Sequence, residues 1–327
     1  MTGPRRGGDP LRILVALGGN ALQRAGGDGT WAEATRQMRL TAPALAHVAA
    51  SGHELIVTHG NGPQVGALLR QNELAAREVP PRPMYVLGAE TEGQIGFLIQ
   101  QELTAALAVA KVPRLVVTLI SRIEVSPRDP AFKHPTKPVG GYYPEEEARV
   151  LRKREGWEMV YDGARGGWRR VVPSPKPVRW VECEAVRQLL GSGWGERWVP
   201  VVAGGGGVPV VARGGGLFEG VEAVIDKDRT AAMIATELGV DLLAIVTDVP
   251  AVAVGFRKPW ERWLGEMTAG ELEEHHRRGE FAEGSMGPKV AAGLDFLAAG
   301  GKRFLITDTP SLDRALRGEA GTRVSRT

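Results

Sequence analysis

The sequence predicts an α/β protein: a mostly parallel sheet covered by helices on both faces, in three αβα layers. Three observations carry this. Short apolar runs alternate with longer segments of helical period. Most of those runs end in a loop of Gly, Asn or Asp before the next helix. One segment, Val125–Pro177, breaks the rhythm and holds too many prolines for a strand–helix–strand unit.

In chain order, Leu11–Leu17 reads as a strand that ends in Gly18-Gly19-Asn20. Trp31–Ala50 reads as a helix, with Asp28 or Thr30 as N-cap and a stop near Gly52. Glu54–Thr58 is a second strand, followed by the turn His59-Gly60-Asn61-Gly62-Pro63. Val65–Glu78 and Glu90–Ala110 read as helices, and Arg114–Ile120 as a third strand. Val199–Ala203 is a buried-type strand that runs into Gly204–Gly207. Lys227–Leu238 is a helix, and Leu242–Thr247 a strand ending in Asp248-Val249-Pro250. Pro288–Ala299 is a helix, Arg303–Thr307 a strand, and Ser311–Leu316 opens a last helix. The segment 125–177 contains SPRDPAFKHPTKPVGGYYP and GARGGWRRVVPSPKP, too aromatic for a disordered linker. We read residues 1–327 as one α/β domain, with 125–177 as a small protruding lobe inserted in it.

Composition excludes several function classes. A formal net charge of +3 leaves no electrostatic footprint for nucleic acid. Cys183 is the single cysteine, so neither an intrachain disulfide nor a thiolate metal cluster is expected. The opening MTGPRRGGDP lacks an apolar signal core, and no run is long enough to span a membrane. A cytoplasmic protein is the expectation. Of the 41 basic residues only nine are Lys, so each surviving lysine draws attention.

Loops after parallel strands gather on one edge of a sheet, where open α/β folds place their ligands. Gly18-Gly19-Asn20, Gly60-Asn61-Gly62 and Gly204-Gly205-Gly206 all fall on that edge. One such loop is as readily a tight turn as a cradle; three favour a polyanionic ligand. None fits the dinucleotide or P-loop fingerprints. In VIDKD, Asp226 and Asp228 suit N-cap chemistry, but Lys227 between them is misplaced, since a cation at a helix N-terminus is unfavourable. Lys289 repeats that pattern after Gly287-Pro288, and Lys137 is presented stiffly between prolines in the lobe, as is Lys133 nearby. Misplaced cations beside anion-binding loops are what phosphoryl transfer requires: positioning and charge neutralisation rather than covalent work. No Ser-His-Asp or Cys-His pairing is suggested, and His275-His276 read as solvated.

VALGGNA, HGNGPQVG, AFKHPTKPVG, GARGGWRRVVPSPKP, GGGGVPVV, EAVIDKD and GSMGPK follow one another in this order. Together they resemble the carbamate kinases of the amino-acid kinase family, from about residue 11 to the C-terminus. The resemblance implies an open αβα fold with a sheet of about eight strands. It implies the reaction ATP + carbamate ⇌ ADP + carbamoyl phosphate, with Mg²⁺ and a homodimer. By the same resemblance, Gly18, Gly19, Asn20, Gly60, Asn61 and Gly62 bind carbamate and the moving phosphoryl. Lys137 reaches in from the lobe, Lys227 and Lys289 neutralise charge, and Asp228 orients lysines. Gly204, Gly205 and Gly206 lie under the nucleotide phosphates, with Asp226, Asp248, Ala253 and Met286 also on the nucleotide side and no metal held by protein ligands alone. Ala16 stands where many sibling kinases carry a strand lysine, so Lys137 is expected to take over that charge. VTDVPAV also departs from the family's usual loop. The alternatives are another acid or phosphate kinase of the same family, or a non-catalytic nucleotide-binding sensor.

Overall fold

The computed structural model describes residues 10–19, 22, 27–163, 166–191, 197–282 and 284–327. Its main sheet has eight strands, in the spatial order Glu266–Thr268, Thr322–Ser325, Arg303–Asp308, Leu242–Thr247, Arg12–Leu17, Glu54–His59, Trp198–Val202 and Leu115–Leu119. Neighbours run parallel except for Arg303–Asp308 against Thr322–Ser325. The central strands are buried on both faces, which is why they read as continuous apolar runs. In Leu242–Thr247, Leu242, Ala244 and Val246 pack in the core shared with helices Trp31–Ala50 and Met84–Val109. Leu243 and Ile245 pack in the opposite core, with helices Lys227–Glu237 and Met286–Ala298. This period-2 split is the physical content of the three layers.

Local signals set several helix ends. Thr30 caps Trp31–Ala50 by accepting the Glu33 amide. Met84–Val109 begins six residues earlier than the sequence suggests. Its Met84 amide donates to the carboxylate of Glu222, 138 positions away, a cap no local pattern reveals. The second turn also tightens: the helix after it starts at Gly62 and ends at Ala75.

Strands the sequence does not foresee include Val208–Gly214, Leu217–Gly220, Glu266–Thr268 and Thr322–Ser325; the first is a seven-residue interior strand and the other three are short. The first two join a four-stranded sheet with Arg122–Val125 and Pro177–Trp180. Those last two pair antiparallel, Val125 opposite Pro177, and form a stalk. Between them lies a three-stranded sheet of Lys137–Tyr143, Gly167–Val172 and Glu158–Asp162 with the helix Glu145–Glu155. That helix carries three acids in its first turn and three bases in its last, complementing its dipole. Tyr143, Ala148, Leu151 and Met159 form a small core inside this segment. Val139 and Val172 dock it on Val65, Leu69, Met84 and Leu87 of the body. Among the described residues no helix is long and apolar enough to cross a membrane.

Candidate active site

The site forms around the start of helix Lys227–Glu237. Asp226 is its N-cap, accepting the amides of Asp228 and Arg229 through one carboxylate oxygen. The other oxygen accepts Lys137 Nζ at 2.8 Å, so one side chain caps the helix and receives the lobe's lysine. Asp228, only 3% exposed, accepts Lys227 Nζ at 2.6 Å on one oxygen and Lys289 Nζ at 3.0 Å on the other. Three lysines from three distant stretches thus meet two carboxylates two residues apart.

The electrostatics follow from this crowding. Burial alone would push the Asp228 carboxyl up, but Lys227 and Lys289 outweigh it and hold the group at about 2. Asp226 is also lowered: burial opposes the shift and Lys137 prevails. Burial lowers the Lys227 ammonium, with Asp228 opposing. Two ammonium groups fixed by one carboxylate are oriented without being neutralised, and the helix dipole adds positive potential. The arrangement suits an anion of several charges.

The glycine loops meet at the same place. A side chain at Gly60 would come within 3.2 Å of the Lys227 stem and 3.6 Å of the Gly19 amide nitrogen, so glycine leaves Lys227 room to cross there. Gly18 lies against the Val246 carbonyl, and Gly62 opens the helix after Asn61. Asn61 donates to Thr91 Oγ1 at 2.8 Å and packs on Gly205, whose φ of +68° and tight surroundings both require glycine. Gly204 faces the ring of His59, and the Gly206 carbonyl accepts Thr230 Oγ1 at 3.0 Å. Gly204, Gly205 and Gly206 are buried, and the Gly206 and Gly207 amides close turns on Ala203 and Gly204. This loop therefore forms a backed floor, with part of its donor set already committed within the fold. Asn20, expected to complete the first loop, lies outside the described residues. Ala16 is fully buried in the core on the side of helix Lys227–Glu237.

Met286 opens the helix that carries Lys289 three positions later, and Ala253 is buried in the strand Ala253–Val254. Asp248 is exposed and accepts Thr247 Oγ1 at 3.1 Å. It lines a groove of about 780 Å³ with His47 and Asp313, on the side of helix Trp31–Ala50. That groove contains none of Lys137, Lys227 or Lys289.

Sequence reasoning missed the groups behind the loops. His59 is buried, and burial lowers its imidazole to about 4, so the ring is neutral. Glu92 and Ser121 are buried behind the glycine loop, where the Ser121 amide donates to Glu92 and its hydroxyl accepts the Ala203 amide. Glu92 interrupts the apolar stripe of Leu87, Ile95 and Ile99, a signal that periodicity could have raised. His275 and His276, read as solvated, are half-buried instead, and His276 stacks on Phe281 at 6.2 Å.

Residues 11–308 match the profile of the Amino acid kinase family. A carbamate kinase of Pyrococcus horikoshii is 44% identical over 318 residues, covering 97% of this chain and 99% of that protein. A carbamate kinase of Trichomonas vaginalis is 43% identical, with 96% and 99% covered. Among solved structures, carbamate kinase from Giardia lamblia bound to AMP-PNP superposes with a TM-score of 0.89 at 36% identity, covering 97% of this chain and 99% of that one.

Proposed function

This chain belongs to the amino acid kinase family, and from that premise we infer that it is a carbamate kinase. It transfers a phosphoryl group reversibly between ATP and carbamate, giving ADP and carbamoyl phosphate. The observation that carries this is the similarity to carbamate kinases along nearly the whole chain.

The arrangement of charges supports an in-line mechanism. A carbamate oxygen attacks the γ-phosphorus while the bond to the bridging oxygen breaks and ADP leaves with that electron pair. The acceptor is already an anion, so no general base is needed. The obstacle is repulsion between two anions, and it is answered with cations. We assign Lys227 and Lys289 to charge neutralisation, Asp228 to orienting them, and Lys137 to delivery of a third charge by the lobe. Each such group is worth about 10²–10³ in rate. Gly18, Gly19, Asn20, Gly60, Asn61 and Gly62 would take carbamate and the moving phosphoryl. Gly204, Gly205, Gly206, Asp226, Asp248, Ala253 and Met286 would serve the nucleotide side. Mg²⁺ would arrive on the ATP phosphates as part of the substrate.

We also propose a cytoplasmic homodimer. The exposed Trp31–Phe97 stack, at 6.2 Å, and exposed Leu115 and Ile120 at the edge strand supply an apolar face for a second copy. Sedimentation at working concentration tests the dimer.

The experiment for the reaction is coupled ADP formation from MgATP with ammonium bicarbonate, which supplies carbamate. Turnover is expected, and none at any pH would overturn the function. A panel of acetylglutamate, glutamate, UMP and isopentenyl phosphate separates sibling kinases. Binding of nucleotide with no acceptor turned over would favour a sensor.

A further inference from the structure

We propose that Ser121, braced by the buried carboxyl of Glu92, is a positioning residue that fixes the Gly204–Gly207 loop and joins it to the root of the lobe. Its meaning for catalysis rests on the kinase reading above; the joint itself rests on geometry.

Ser121 is fully buried between strand Leu115–Leu119 and strand Arg122–Val125, the strand from which the lobe hangs. Each of its polar groups has a partner. Its amide donates to Glu92 Oε2 at 3.1 Å. Its hydroxyl accepts the Ala203 amide at 2.9 Å and donates to the Leu119 carbonyl at 3.1 Å. Its carbonyl accepts the Val208 amide at 2.8 Å. Ala203 and Val208 bracket the four glycines, so one residue grips both ends of the loop.

The grip is needed. Ala203 has φ of +48°, a left-handed conformation that a residue with a Cβ keeps only when its surroundings hold it. Thr58 Oγ1 holds its carbonyl at 3.1 Å, and Ser121 holds its amide. Glu92 is 1% exposed, and its second oxygen, Oε1, has no hydrogen-bond partner. Burial pushes this carboxyl well above the usual range, with the Ser121 amide opposing. Glu92 thus braces the joint from a fully buried position behind the glycine loop. On the far side, Arg122 continues directly into the stalk, where its amide donates to Glu182 at 2.7 Å. A rotation of the stalk that carries Lys137 therefore pulls on both ends of the glycine loop.

Hydrogen exchange on the full-length, substrate-free protein tests the joint without reference to activity. Ser121→Ala is expected to speed exchange at residues 204–208 and 137–143 together, and to leave 242–247 unchanged. Acceleration confined to residues beside 121, or none, overturns the proposal. Glu92→Met should act in the same direction, and Glu92→Gln, which keeps an acceptor for the Ser121 amide, should recover most of the loss. These two variants carry the test if Ser121→Ala does not fold. In the kinase assay, Ser121→Ala and Glu92→Met should lower kcat about tenfold with KM for carbamate unchanged. Equal kcat for Glu92→Met and Glu92→Gln, with only the melting temperature differing, would mark a merely structural role. An inactive wild type with the exchange pattern intact would overturn the kinase reading and leave the joint standing.

Discussion

Asp226 and Asp228 sit two residues apart on one helix start, yet they serve two different regions. Asp228 binds two lysines of the body and is 3% exposed. Asp226 binds one lysine, from the lobe, whose side chain is 35% exposed. The first set is fixed by the packing of helices Lys227–Glu237 and Met286–Ala298 in one core. The second is a contact between two surfaces, backed by the small Val139 and Val172 cluster. The difference separates a preorganised charge pair from a charge delivered by docking. A buried pair holds charge in place before substrate arrives. A half-buried contact between two surfaces is held less firmly and breaks at lower cost.

The largest effect should come from the buried side. Asp228→Ala leaves two ammonium groups without their carboxylate and should cost about 3–5 kcal/mol in urea unfolding. It should also abolish measurable transfer. Loss of activity with unchanged stability would mean that the pair is not the fixed unit described.

Lys137→Ala tests the other side. It should lower kcat about 10²–10³-fold while nucleotide Kd shifts less than about threefold. Its melting temperature should fall less than that of Asp228→Ala, because this pair is only half-buried. Weaker nucleotide binding with unchanged kcat would place Lys137 on the nucleotide and sink the delivery role.

The third effect depends on pH and belongs to the body. His59 in the fold titrates at about 4, below its usual value of 6.5. The folded state binds fewer protons, so this stability is complete above 6.5 and is lost as pH falls toward 4. The loss should reach about 3 kcal/mol, and His59→Gln should remove that slope. Asp228 acts lower down: its contribution is present above 3.8 and lost as pH falls through about 2.

The smallest effect sharpens the lobe contact. The Tyr143 hydroxyl donates to the Glu73 carboxylate at 2.9 Å, across the lobe–body seam. Tyr143→Phe removes about 1 kcal/mol of docking and should speed hydrogen exchange in 137–143 about fivefold. Residues 242–247 should exchange as before. Equal acceleration in both would show that the lobe and the body open as one.

The sequence alone determined the alternation of buried strands and helices, because a strand buried on both faces must be continuously apolar. It also marked Lys227 and Lys289, since a cation at a helix start is locally unfavourable and needs a distant reason, and Lys137, which flanking prolines present stiffly. Only the tertiary structure decided what those lysines touch. Lys137 lies 89 residues from Asp226, and Lys289 lies 61 from Asp228, so their pairing depends on how cores pack rather than on local pattern. Short strands such as Glu266–Thr268 and Thr322–Ser325 were hidden for the same reason: a short polar segment becomes a strand only when a neighbour offers it a ladder. Ser121, the plainest residue at the site, carried no signal at all. Its position follows from burial and from four hydrogen bonds, and those exist only in the folded chain.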